Sequence, residues 1–498
     1  MGYGAAVNGD FESQEPPRVT TLQTAWPYIA ATLAFLLSLI VSSHILLHKR
    51  EVRAAIGWIG LAWLAPVVGS ILYLVFGINR IKRRGSEIHA SMDRIPIPRQ
   101  LPPTLAPQRP PAPIDESLQP LARAVDRLTR NDLVGGNRIE PLRNGDAAYP
   151  AMLDAIRGAR TSVALATYIF DMDRAGMEFV EALSAAARRG VQVRVLIDGV
   201  GATYSKPRAP ATLRDRGVQV AQFGGGMVPW RMPYVNLRNH RKILVVDGSV
   251  GFTGGMNIRE TSYLKLDTAY PTRDLQFKLE GPVVSHLVTA FAQDWTHTTG
   301  EHLDGDLWCP PLTPAGSSTA RGVSDGPDDD FEKLTWTIMA ALRAAKRHVR
   351  IVTPYFLPDQ ALLTALNVVT LAGVRLDIVL PETSNLRIVG WAMRAQLAQV
   401  MEYGARIWLS PAPFDHTKLM LVDDGWALFG SGNWDPRSLR LNFEFNVECY
   451  DPSLVTVLDD IVTETIEDAR PLSRDELDRR SLPVKLRDGA AWLFSPYL

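Results

Sequence analysis

Two long stretches near the N-terminus, Trp26 to Leu47 and Ala54 to Asn79, contain no Asp, Glu, Lys or Arg. Each can cross a hydrocarbon layer of roughly 30 Å, so residues 26–84 read as a two-helix membrane anchor behind a tail of residues 1–25. That tail carries Asp10, Glu12 and Glu15 against Arg18, whereas a signal peptide has a basic start. Arg18, Arg80, Lys82, Arg83, Arg84 and Arg94 flank the pair, against Lys49, Arg50 and Arg53 between the runs, which predicts cytoplasmic ends. Pro66 and Gly69 offer an alternative to the second span, a re-entrant hairpin. Arg80 to Arg84 suits anionic lipid headgroups or serves as a topology signal alone.

Residues 85–125, with Pro96, Pro98, Pro102, Pro103, Pro107, Pro110, Pro111 and Pro113, read as a semi-extended linker. Beyond them, short apolar runs alternate with amphipathic ones, the pattern of an α/β fold. Thr161–Asp171 predicts a strand, Met177–Arg189 a helix and Val191–Ile197 the next strand. After a low-complexity stretch, taken as an interdomain linker at 303–330, the order restarts: His348–Asp359 answers the first strand and Val374–Leu380 the second. A repeat this long is a duplicated domain. The expected architecture is two α/β domains, residues 126–302 and 331–498, packed about a pseudo-two-fold axis.

Composition narrows the function. Lys plus Arg and Asp plus Glu number 53 each, so there is no basic excess to argue for a nucleic-acid partner. Cys309 and Cys449 are the only cysteines, which gives neither a disulfide framework nor a zinc cluster. No cofactor is implied.

The chemistry lies in a repeated pattern, His-x-Lys-x4-Asp-x6-Gly-x2-Asn. It runs from His240 through Lys242, Asp247 and Gly254 to Asn257, and from His416 through Lys418, Asp423 and Gly430 to Asn433. Strand residues two apart face the same way, so each copy presents an imidazole beside an ammonium, a pair suited to a phosphate. Asp247-Gly248 and Asp424-Gly425 predict hairpin turns that bring Asn257 back beside His240 and Asn433 beside His416. A run of that length spans roughly 24 Å, so Asp247 and Asp423 are expected as structural anchors and not as the carboxylates that orient the histidines. Those are sought downstream: Glu444, on the polar face of a half-buried strand with Asn442 and Asn446, is expected to hold His416, and Asp274 is the first-half candidate. His286, His297, His302 and His348 lack the following lysine and read as structural or exposed; Trp230, Trp295 and Trp434 read as core.

These motifs resemble the paired HKD motifs of the phospholipase D superfamily. More narrowly, the chain is similar to bacterial cardiolipin synthases in the hairpin ending Gly69 to Gly77, in Tyr168-Ile169-Phe170, Thr353 to Asp359, Arg437 to Glu444, and the closing Trp492 to Leu498. Gly255 stands where serine is common and Thr417 where alanine is common, and the first half lacks an Arg-Ser after Asn257. The resemblance implies transfer of a phosphatidyl group between two phosphatidylglycerols through a phosphatidyl-histidine, without metal, in a bacterial cytoplasmic membrane. It implies His240 as nucleophile and His416 as acid/base, a choice that the symmetry of the copies leaves open. Lys242, Lys418, Asn257 and Asn433 would hold the phosphate oxygens. A hydrolytic phospholipase D would use the same residues with water as acceptor; a nuclease of the superfamily would gain little from a membrane anchor.

Overall fold

The computed structural model describes residues 21–49, 51–77, 114–224, 237–326 and 332–495. The cluster Arg80–Arg84, the prolines from Pro96 to Pro113, Trp230, most of the N-terminal tail and the last three residues of the closing motif lie outside the described residues. The chain forms two compact units, Met1–Arg80 and Ile81–Leu498.

In the first unit, helix α1 (Thr21–His48) is the one described helix long and apolar enough to cross a membrane. The second apolar run, expected as another span, is not one helix. It breaks at Ala65, whose φ of −139° and ψ of 74° lie outside the helical region, as the ring of Pro66 demands of the residue before it. The products are α2 (Val52–Leu64) and α3 (Pro66–Leu72). A Cβ on Gly69 would lie 2.3 Å from the Leu61 carbonyl oxygen, so the fold-back of α3 on α2 requires glycine there. Against α1, the second run climbs only to the level of Phe35, whose ring meets Trp63, with Ser38 Oγ donating to the Ala62 carbonyl at 2.7 Å. It then returns, and Tyr73 Oη lies 2.8 Å from His44 Nδ1.

The second unit is built on one sixteen-stranded sheet. The first half contributes β1 (Val134–Arg143), β2 (Ser162–Thr167), β3 (Gln192–Asp198), β4 (Gln219–Phe223), β5 (Arg238–Asn239), β6 (Ile243–Val246), β7 (Val250–Gly254) and β9 (Leu275–Glu280). The two-residue β8 (Thr272–Arg273) lies off it. The second half supplies β10 (Ser318–Asp325), β11 (His348–Val352), β12 (Arg375–Pro381), β13 (Arg406–Ser410), β15 (Leu419–Val422), β16 (Trp426–Gly430), β17 (Asn442–Tyr450) and the edge strand β18 (Arg470–Pro471), with β14 (Phe414–Asp415) pairing β8. Outward from the centre the halves run alike: β1-β9-β7-β6-β2-β3-β4 and β10-β17-β16-β15-β11-β12-β13. The chain is a duplication joined through its two central strands, β1 against β10.

This corrects one expectation. The stretch 303–330 is not all linker, because Ser318–Asp325 is β10, the second half's counterpart of β1. Its sequence, STARGVSD, shows no alternation because both faces are covered. Arg321 on β10 is fully buried and pairs with Glu448 on β17 at 2.5 Å. It also pairs with Asp126 at the end of helix Gln119–Asp126, which lies at the boundary of the expected Pro-rich linker. Strand β17, expected to be half-buried, is buried along its whole length. Burying Phe443, Phe445 and Val447 contributes roughly 1.5–3 kcal/mol each; on its polar face Glu444 meets the other half at His240, while Asn446 and Glu448 bond within their own.

Both predicted hairpins form. Asp247 and Asp423 sit at their tips with φ of 49° and 48°. Asp247 accepts from the backbone N–H groups of Arg160, Thr161 and Ser162, and Asp423 from those of Lys346, Arg347 and His348. Each carboxylate ties its hairpin to the start of the neighbouring strand, at the end away from the histidine.

Candidate active site

The two short parallel pairings decide which carboxylate meets which histidine. β5, just before His240, pairs with the start of β17, setting Asn239 opposite Phe443. β14, just before His416, pairs with β8, setting Asp415 opposite Arg273. One residue further along each pairing, Glu444 faces His240 and Asp274 faces His416. The backbone confirms the register, with His240 N donating to Phe443 O at 2.9 Å and His416 N to Arg273 O at 2.8 Å.

The expected pairing of Glu444 with His416 is therefore wrong. Glu444 Oε1 and Oε2 both lie 3.0 Å from His240 Nδ1, and Asp274 Oδ2 lies 2.9 Å from His416 Nδ1. Each half orients the other half's imidazole. Reading along the chain favours the carboxylate nearest in sequence, whereas the strand pairing crosses the seam. With Nδ1 tied to a carboxylate in both copies, Nε2 is the atom left for chemistry.

Both histidines line one cavity of about 420 Å³, together with Asn257, Asn433, Asp274 and Asn442. Lys242 Nζ donates to the His240 carbonyl at 2.7 Å, and Lys418 Nζ likewise to that of His416. Asn257 Oδ1 accepts from Ile169 N at 3.1 Å, and Asn433 Nδ2 donates to Ser438 Oγ at 3.1 Å. The predicted residues Lys242, Lys418, Asn257 and Asn433 thus come together with the two histidines and their carboxylates.

Electrostatics follow from crowding cations in a buried space. Burial, then the neighbouring Lys418, pulls His416 down to about 4; burial also lowers His240, against the opposing pull of Glu444. Burial brings Lys242 down to about 7 and Lys418 to about 8. Burial works to raise Glu444, but His240, Lys242 and the Ser431 hydroxyl more than offset it and keep the carboxyl below its usual value. Cations depressed in this way are favoured in their protonated form by a neighbouring anion.

Several functional groups escaped sequence reading. Arg241 donates from Nη1 to buried Asp294 at 2.7 Å and from Nε to the Glu444 carbonyl at 3.2 Å, clamping the strand that carries the carboxylate. Arg238, Arg259, Tyr168, Tyr204 and Tyr355 line the cavity. Tyr168 and Tyr355 fall in stretches that carry the family resemblance, but the spacing of the repeated motif marked none of the five as a site residue. Trp295 and Trp434 are buried core, and His286 is a buried structural histidine whose Nδ1 accepts from Gly322 N at 3.2 Å.

Comparison with known proteins agrees with this geometry. The family model described as "Cardiolipin synthase, PLD-like domain" matches residues 152–295 and 338–466, and one described as "Phospholipase_D-nuclease N-terminal" matches residues 36–77. The chain is 31% identical to a cardiolipin synthase of Geobacillus kaustophilus, covering 91% of this chain and 90% of that protein. It is 32% identical to a cardiolipin synthase A of Pseudomonas putida, covering 94% and 97%. Among solved structures, a phosphatidylserine synthase of Haemophilus influenzae superposes with a TM-score of 0.60 at 17% identity, covering 76% of this chain and all of that one, a likeness of fold.

Proposed function

Because the chain belongs to the cardiolipin synthase family with its phospholipase D-like domains, we propose that it moves a phosphatidyl group from one phosphatidylglycerol to a second, giving cardiolipin and glycerol. The observation that carries this reading is the pair of imidazoles on one cavity, each with Nδ1 held by a carboxylate of the opposite half. His240 Nε2 attacks the phosphorus, the bond from phosphorus to the glycerol oxygen breaks, and His416 gives that oxygen its proton. His416 then takes the proton of the second lipid's primary hydroxyl, a new P–O bond forms and the P–N bond breaks. Lys242, Lys418, Asn257 and Asn433 neutralise and hydrogen-bond the nonbridging oxygens. Burial and the neighbouring Lys418 hold His416 low; an anion beside it raises it, so the acid is armed by substrate.

The experiment is lipid analysis with the full chain in vesicles and labelled phosphatidylglycerol as sole substrate. Cardiolipin and glycerol are expected in equal amounts, one for every two lipids consumed. Phosphatidic acid with no cardiolipin would replace this reading with hydrolysis.

The anchor bears on topology. A single span with a re-entrant α2–α3 pair would leave Lys49, Arg50, Arg53 and Arg80 to Arg94 on one side and Arg18 on the other. The positive-inside rule then gives a cytoplasmic catalytic unit and a periplasmic tail. A reporter after Leu498 is expected to work only in cytoplasmic form, and one before Met1 only in periplasmic form. Two cytoplasmic termini would restore the two-span anchor.

A further inference from the structure

Two positions beside the motifs break the symmetry of the cavity. Two residues before the histidine stands Arg238 in the first half and Phe414 in the second; four residues after the asparagine stands Thr261 in the first and Arg437 in the second. All four side chains line the cavity. The pseudo-two-fold relates 238 to 414 and 261 to 437, so one end carries two guanidinium groups. The equivalent end carries a threonine and Phe414, whose ring centroid lies 6.3 Å from that of Tyr355, and the cavity's remaining arginine, Arg259, is already paired with Asp171 at 2.6 Å.

Arg238 is a costly residue to keep there. It is 8% exposed, and its Nε is buried with no hydrogen-bond partner among the described residues. Among the described residues, the one hydrogen bond that its guanidinium makes is from Nη1 to the carbonyl of Leu237, at 3.3 Å. Asp198, whose charge reaches Arg238, bonds with its oxygens to the backbone N–H groups of Val200, Gly201 and Asn239. A buried guanidinium without a carboxylate fork is unfavourable unless an anion arrives.

The phosphate that reacts does not account for it. That group is cradled symmetrically by a histidine, a lysine and an asparagine from each half, whereas Arg238 and Arg437 have no counterparts. We propose that Arg238 and Arg437 form a second anion site, which holds the phosphodiester of the acceptor lipid while its glycerol hydroxyl attacks the phosphatidyl-histidine. This rests on the transfer reading, in which the acceptor is itself a phosphodiester; a hydrolase using water has no second anion to hold. Burial and the neighbouring Arg238 also press the Arg437 guanidinium toward losing its proton, a tension that an anion between the two relieves.

The test uses the full chain in phosphatidylglycerol vesicles with labelled glycerol in the water. One covalent intermediate then partitions between two acceptors with the same primary hydroxyl: phosphatidylglycerol, giving cardiolipin, and glycerol, giving labelled phosphatidylglycerol. Only the first acceptor carries a phosphate. Arg238→Gln and Arg437→Gln are each expected to lower the ratio of cardiolipin to exchanged glycerol at least tenfold. If both products fall together and the ratio holds, the arginines serve the donor or the fold, and the second site is overturned. If a glutamine variant makes neither product, the Arg238→Lys and Arg437→Lys variants decide: native amounts of both products, or a selective fall in the ratio, support the site, and both products lowered at a constant ratio overturn it. If the native protein yields phosphatidic acid and neither transfer product, the transfer reading fails, and this proposal with it.

Discussion

Around His240 the orienting carboxylate is itself held. Glu444 accepts from Ser431 Oγ at 2.5 Å and from Asn442 Nδ2 at 3.1 Å, and Arg241 grips its backbone carbonyl. Around His416 the backbone is held as firmly, Asn144 bonding the N and O of Asp274 at 3.1 and 2.9 Å, but the carboxylate itself has fewer donors: besides the imidazole it takes the amide of Leu275 at 2.8 Å, and Gly255 stands where the second half has Ser431. Thr417 replaces the arginine clamp. The two halves present the same reacting groups in unlike surroundings, which suits unlike roles. A histidine bonded to phosphorus stays positively charged through the life of the intermediate, and a fixed, firmly ionised carboxylate favours that state. A histidine that gives up and regains a proton in each turnover is served by a carboxylate with more freedom. The asymmetry thus supports His240 as nucleophile and His416 as acid/base, the choice that motif symmetry leaves open.

The sharpest way to break this comparison is to remove one histidine at a time. His240→Ala and His416→Ala are each expected to lower cardiolipin formation by about a thousandfold or more, since the remaining histidine cannot fill the role that is lost. A leaving group that needs no proton separates them. With a phosphatidyl p-nitrophenyl ester, His416→Ala should still release a burst of p-nitrophenol while His240→Ala should not. Because the carboxylates cross between halves, Asp274→Asn should follow His416→Ala in this assay and Glu444→Gln should follow His240→Ala, with losses of roughly a hundredfold on the natural substrate. A burst retained in Glu444→Gln and lost in Asp274→Asn would reverse the roles.

The hairpin aspartates mark where the halves are alike, and they should affect stability more than turnover. Asp247 gathers backbone N–H groups from three residues, and these hold its carboxyl below its usual value against the opposing effect of burial. Its contribution is therefore present above the unfolded carboxylate pKa, near 4, and is lost as pH falls through the lower folded value. Asp247→Asn is expected to destabilise by roughly 1–2 kcal/mol, with turnover per folded molecule within about threefold of native, measured by thermal unfolding beside the lipid assay. This much was legible in the sequence, because strand geometry fixes how far a residue at a turn can reach. The motif residues and the alternation of strands were legible for the same reason: local periods carry them. What the sequence did not give were contacts made across the seam. Glu444 faces His240 only because a two-residue parallel pairing spans the halves, β10 looked like linker because it is covered on both faces, and Arg238 repeats at no equivalent position. The second apolar run had the composition of a span, and the break before Pro66 altered its path without altering its hydropathy.

The smallest expected effects come from exchanging the one residue that distinguishes the carboxylate pockets, and here the two directions are unequal. Ser431→Gly removes a donor from Glu444 but leaves Asn442 and the His240 ring in place. At about 1 kcal/mol for a buried hydrogen bond to a charged acceptor that keeps other partners, turnover should fall about fivefold, with Glu444 still close enough to orient the ring. Gly255→Ser does not make the first half resemble the second. A Cβ at 255 would lie 2.5 Å from Asp274 Oδ1, 2.9 Å from Oδ2 and 3.0 Å from the His416 carbonyl oxygen. The carboxylate can yield only by turning away from His416 Nδ1, since the backbone carbonyl cannot. Gly255→Ser is therefore expected to cost more than Ser431→Gly, about tenfold or more, and to do so by slowing the proton transfers assigned to His416, so that the p-nitrophenyl ester recovers most of the loss. Equal and small losses from both substitutions would mean that the two pockets are interchangeable, and the division of roles between the histidines would then need another cause.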